Sequence, residues 1–207
     1  MKKIMFFVIF AVALCGFPFI SYASSLTFTD GLDTQIWSEQ GGPDPEGGTN
    51  WVGTWVGGNQ YNSMILFNDL FGEGAGQIPY GSTIVSATLV LTLGYSVENF
   101  DRAIYEMTES WHPGIRWYQL SGGDGLQPGV KMASTPVASY SSLPGNGPLQ
   151  VDVTSSLQLW SDGADNYGWG IWGEETDGSA FAVTGIHSFE TDTIDSAPYL
   201  MVEFEPA

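Results

Sequence analysis

The 207-residue chain sets 23 Asp and Glu against 5 Lys and Arg, a formal net charge of −18. It therefore lacks the basic footprint that phosphate backbones and anionic lipid surfaces require. A single cysteine rules out an internal disulfide, and 8 Trp, 9 Tyr and 12 Phe are too many aromatics for a disordered chain.

The first segment reads as an export leader. Lys2 and Lys3 precede an apolar run from Ile4 to Leu14, and Ser21-Tyr22-Ala23 offers small residues at the positions a signal peptidase reads. Gly16 and Pro18 interrupt the run before the roughly 20 apolar residues of a membrane span. Leu14 before Cys15 is too large for a lipid-attachment box. Cleavage is expected after Ala23, with residues 24–207 forming one domain, secreted or periplasmic, without membrane insertion. Only Arg102, Arg116 and Lys131 remain as cations against all 23 acids, so that part carries a net charge of −20.

From there the chain alternates short strands with turn clusters. Strands are expected at 26–29, 34–38, 51–56, 63–67, 83–94, 103–108, 137–140, 149–153, 169–172, 180–188 and 199–204. The run Thr83 to Leu93 is the clearest: Val85, Ala87, Leu89, Leu91 and Leu93 share one face, while Ser86, Thr88, Val90 and Thr92 share the other. One short helix is expected near 155–162, with Thr154 as its N-cap, Leu157 and Trp160 on one face, and Gly163 as its stop. The fold class is thus all-β, an antiparallel jelly-roll-like sandwich with one short helix.

Several segments also carry a family pattern. Leu32-Asp33-Thr34-Gln35-Ile36, Met64-Ile65-Leu66-Phe67-Asn68-Asp69-Leu70 and the stretch Gln77 to Leu91 follow one another in order. Thr108-Glu109-Ser110-Trp111 with Trp117, then Val151-Asp152-Val153-Thr154, then Ser188-Phe189-Glu190 with Pro198-Tyr199-Leu200 complete it. In this order the chain resembles the DNRLRE-domain family, the disaggregatase-related β-sandwich modules of secreted prokaryotic proteins. The resemblance implies a binding or structural module and carries over no catalytic residue. Basic residues common in that family are replaced here by the neighbourhoods of Met64 and Phe189, so a neutral glycan, or an acidic one bridged by calcium, is the expected ligand.

Trp51 and Trp55 share strand parity between glycines, about 13 Å apart if four residues rise at roughly 3.3 Å each. Indoles at that spacing would stack on two or three sugar units. With Tyr61 and Trp172 they are the candidate ligand residues, and burial in the core is the competing reading. Loop carboxylates suit calcium, a hard cation. One cluster is Asp30, Asp33, Asp44 and Glu46; a second is Asp162 and Asp165 beside Asn166; a third is Glu190, Asp192 and Asp195. None has EF-hand spacing, and a solvated acidic surface competes with each.

Catalysis is not expected. Glu174 and Glu175 are adjacent on a strand and point apart, Asp177 follows them, His112 and His187 lack a neighbouring partner for zinc, and no Gly-x-Ser-x-Gly elbow occurs. The leading function is non-catalytic binding of extracellular or cell-envelope polysaccharide, calcium-assisted in one form. The alternative is a subunit of a matrix, sheath or filament that associates with copies of itself.

Overall fold

A computed structural model describes residues 23–39, 48–55, 58–96, 100–141, 145–175, 182–192 and 196–207. Eleven strands and one α-helix follow in order: β1 (Ser24–Phe28), β2 (Leu32–Trp37), β3 (Thr49–Trp55), β4 (Asn59–Leu66), β5 (Thr83–Ser96) and β6 (Phe100–Glu106). Then come β7 (Ala138–Tyr140), β8 (Gly147–Asp152), α1 (Thr154–Ser161), β9 (Trp169–Glu175), β10 (Ala182–His187) and β11 (Tyr199–Glu205). Each strand expected from the sequence overlaps one of these, because turn residues and apolar alternation mark strands directly. Of the expected leader 1–23, residues 1–22 lie outside the described residues, as do Val56, Ala180 and Phe181 at the ends of two expected strands.

Every strand pairing is antiparallel, and all eleven strands belong to one curled sheet ordered β1-β11-β5-β10-β3-β4-β9-β6-β7. Two strands are forks. Along one edge β5 pairs first with β11 and then with β10, while its other edge holds β8. Along one edge β4 pairs first with β3 and then with β9, while its other edge holds β2. At each fork the sheet divides, which lets a strongly twisted ribbon close over a core instead of extending as a flat sheet.

Strand parity sorts side chains into two cores. Leu89, Leu91 and Leu93 of β5, Ile65 of β4, Ile104 of β6, Trp169 and Ile171 of β9 and Leu200 and Val202 of β11 meet in the inner one. The opposite parity of the same middle strands, Met64, Ala103 and Tyr105, faces a second core completed by Met107, Ile115, Trp117, Leu120, Leu126 and Met132. The connection between β6 and β7 thus covers the outer face of β4, β9 and β6, where an open antiparallel sheet would meet water. Gly170 makes room for this cover, since a Cβ there would stand 2.5 Å from the Met132 sulfur.

The structure departs from the sequence reading in two places on β5 and α1. Val85 is 47% exposed, and Ile84 takes its place in the core. Glu203 pairs with Ser86 and Phe204 with Ile84, leaving Val85 as the extra residue of a β-bulge that reverses the alternation. In α1 the N-cap is Val153, not Thr154. The Thr154 hydroxyl instead accepts from the Ala87 N–H of β5 at 2.9 Å and donates to Asp152 Oδ1 at 2.6 Å, and Asp152 Oδ1 also accepts the Thr154 N–H at 3.0 Å. The helix is therefore fastened sideways to the sheet. Trp160 packs on Trp169 with ring centroids 4.9 Å apart.

Candidate functional site

Three of the four ligand residues expected from the sequence come together. Val52 points into the inner core, so Trp51, its neighbour on β3, faces the other way. On a straight strand Trp55 would stand far along the same face. Gly53 between them adopts φ 113°, a left-handed conformation open to glycine, and bends the strand. The indoles consequently meet edge to face at 5.2 Å, and the 13 Å spacing expected from the sequence does not occur.

Contacts continue on both sides. Trp55 meets Tyr61 of β4 at 6.4 Å, and Tyr61 stacks on Trp37 of β2 at 6.2 Å with the rings 21° apart. In the other direction Trp51 meets Tyr95 of β5 at 6.0 Å. Five rings from four strands thus form one unbroken chain, Trp37–Tyr61–Trp55–Trp51–Tyr95. All are half-buried except Tyr95, which is 42% exposed. Burial, and then the Glu39 carboxylate, push the Tyr61 hydroxyl up from its ordinary range.

Register explains why Trp37 and Tyr95 escaped notice in the sequence. Tyr61 pairs with Trp37 on one side and Gly53 on the other, and Gly185 of β10 pairs with both Trp51 and Tyr95. The chain exists because glycines stand between aromatics in cross-strand rows. Nothing local to Trp37 or Tyr95 signals that arrangement.

Trp172 lies elsewhere. Its β9 neighbour Ile171 faces the inner core, and Trp172 packs against the second one. It borders a hollow of about 490 Å³ with Thr54, Gln60, Asn62 and Gln127. Gln60 and Asn62 have the parity of Met64 and the opposite parity to Tyr61, so this hollow and the aromatic chain are on opposite faces of β4.

The expected metal ligands lie partly outside the described residues, and those described have other partners or stand exposed. Asp30 is exposed, and Asp44 and Glu46 lie outside the described residues, as does Asp195. Asp162 accepts from Gln158 Nε2 at 2.9 Å, and Asp165 from the Tyr167 hydroxyl at 3.0 Å. Asp33 is only 3% exposed. One of its oxygens accepts the Phe189 N–H at 2.7 Å, tying β2 to the turn after β10, while the other has no hydrogen-bond partner. Burial raises its carboxyl to about 7, aided by the Glu190 charge and opposed by Asn50 and the Phe189 N–H. Among the described residues no three His, Cys, Asp or Glu side chains gather to hold a metal ion.

Two of the three cations are committed, and the third, Arg116, is exposed. Arg102 is 3% exposed inside the sheet, donating to the Thr184 and Ser96 hydroxyls at 2.5 and 3.0 Å. Burial lowers it to about 10. Lys131 forms an ion pair with Glu109. The side chains of Glu174 and Glu175, like Asp177, lie outside the described set. The chain matches no protein-family model, and no curated protein matches it in sequence.

Proposed function

We propose that this chain is an exported, non-catalytic module that binds a neutral polysaccharide along the aromatic chain from Trp37 to Tyr95. The observation that carries this reading is the continuity of five half-exposed rings across four strands. Sugar rings present flat apolar C–H faces, and a row of rigid aromatics offers stacking area at little conformational cost. A core would have enclosed these rings; here Gly185 leaves the Trp51 indole lying over bare backbone, and all five rings stay partly accessible.

Charge points to the ligand class. Arg102 is buried, Lys131 is engaged with Glu109 and Arg116 is a lone exposed cation, so a strongly acidic surface offers polyuronates little attraction. The motif order that resembles DNRLRE-domain modules supports the same non-catalytic class.

Affinity electrophoresis tests the reading. Gels containing glucan, mannan or galactan should retard the protein with at least one neutral polymer, and gels containing alginate or polygalacturonate should leave it unretarded without calcium. Retardation by the uronates alone would overturn the proposal. A self-associating role has a narrower support: β1 and β7, the end strands of the order, each pair along one edge only among the described strands, leaving backbone open to another copy. Light scattering that shows concentration-dependent growth without any glycan would favour that role.

A further inference from the structure

We infer that the opposite face of β4 holds a second saccharide site, so that one molecule bridges two polysaccharide chains. The inference rests on the glycan reading above and adds a separate surface to it. Two hollows adjoin there, of about 620 and about 490 Å³, each within the size range of ligand pockets. Gly58, Gln60 and Gln127 border both, so the two form one cleft with a pair of amides at its waist.

The walls have the chemistry of neutral sugar recognition. A primary amide donates and accepts at once, which suits vicinal hydroxyls. Gln60 is exposed, with its backbone N–H already held by Ser38 Oγ at 3.0 Å. Asn62 is spent on structure: its amide oxygen accepts the Leu126 N–H at 3.0 Å, anchoring the loop that forms the far wall. Half-buried Trp172 gives one hollow apolar surface, while Trp117, 6% exposed, backs the other from the second core. No Lys or Arg borders either hollow, and Asp124 is the one charged residue on the described walls, so anions are disfavoured.

A second line of argument comes from Ser121 on the wall of the larger hollow. Its backbone sits at φ 45°, a strained position for a residue with a side chain, and its hydroxyl is buried without a partner. An unpaired buried hydroxyl is costly, and such strain collects at ligand sites. The hydroxyl itself is closed off from the hollow, so it is the strained backbone at Ser121 that marks this wall. The would-be Cβ of Gly58, at φ 86°, meets nothing within 4 Å, which keeps the waist open.

Because Gln60 and Tyr61 are consecutive on β4, the two sites diverge and a single chain cannot occupy both directly. Calorimetric titration with cellohexaose, laminarihexaose and mannohexaose tests this. The wild type should bind two equivalents of at least one of them. Trp55→Ala should retain one equivalent, and the Gln60→Ala/Gln127→Ala double variant should retain the other. Gly58→Asn, at a backbone angle asparagine tolerates better than other side chains, should block the cleft and also leave one equivalent, with only a small fall in melting temperature. The wild type should raise the viscosity of the matching polysaccharide, and none of the three variants should. One equivalent in the wild type, lost in Trp55→Ala, overturns the second site and leaves the aromatic platform standing. Two equivalents unchanged by both cleft variants also overturn it, and no binding of any hexasaccharide removes both readings together.

Discussion

The Trp51 indole lies over Gly185, its register partner on β10, so closely that a Cβ on the glycine would stand 3.1 Å from the ring. The missing side chain is what allows Trp51 and Tyr95 to meet across the intervening strand. Gly185→Val should therefore push Trp51 off the row. Overpacking of this kind costs about 1 to 3 kcal/mol, and retardation by the neutral polymer should fall at least tenfold in gels run below the melting temperature. A Gly185→Val protein that is retarded like wild type would show that continuity of the rings is irrelevant to binding.

Two glycines with left-handed backbones separate close approach from conformational strain. Gly168 has φ 73° and Gly163 φ 103°, but a Cβ on Gly168 would run into the Ile65 carbonyl oxygen, whereas one on Gly163 meets nothing within 4 Å. Gly163→Ala should cost about 1 to 2 kcal/mol, the general penalty for that region. Gly168→Ala should cost at least about 2 kcal/mol more, because β4 backbone must shift and its pairing with β9 with it. Urea denaturation of the two variants compares them, and equal losses would mean that the approach of residue 168 to β4 is looser than described.

Asp33 gives the stability a pH dependence. Its carboxyl is at about 7 in the folded protein against 3.8 when free. Below pH 4 it is neutral in both states. As pH rises towards 7 the unfolded chain releases this proton while the folded one keeps it, so stability falls across that window and levels off above it. Asp33→Asn keeps an oxygen for the Phe189 N–H and should flatten the profile in the presence of chelator, with the variant gaining on wild type as pH rises from 4.5 to 7.5. Parallel profiles would contradict a neutral buried carboxyl.

These cases show what could be read along the chain. All strands were legible, since Gly, Pro and Asn punctuate them and apolar alternation fills them. The bulge at Val85 was not, because one extra residue against β11 is a property of the pair and reverses the face of Ile84 without any local mark. The site was half legible. Trp51, Trp55 and Tyr61 stand out by type and spacing, but Trp37 and Tyr95 join them only through register, and Trp172 is turned away by the parity of Ile171. Asp162 and Asp165, close in sequence, accept from separate donors, Gln158 and the Tyr167 hydroxyl, and those partners carry no local mark in the sequence.

The most direct test of the account is Trp55→Ala, with stability and glycan retention measured on the same preparation. Trp55 is half-buried at the centre of the aromatic chain, touching Trp51 and Tyr61. The account predicts at least a tenfold loss of retardation by the neutral polymer together with a stability loss of no more than about 1 to 2 kcal/mol, well below the roughly 3 to 5 kcal/mol that deleting a core tryptophan costs. Full retardation by the variant, or an unfolding loss in the core range, would contradict it.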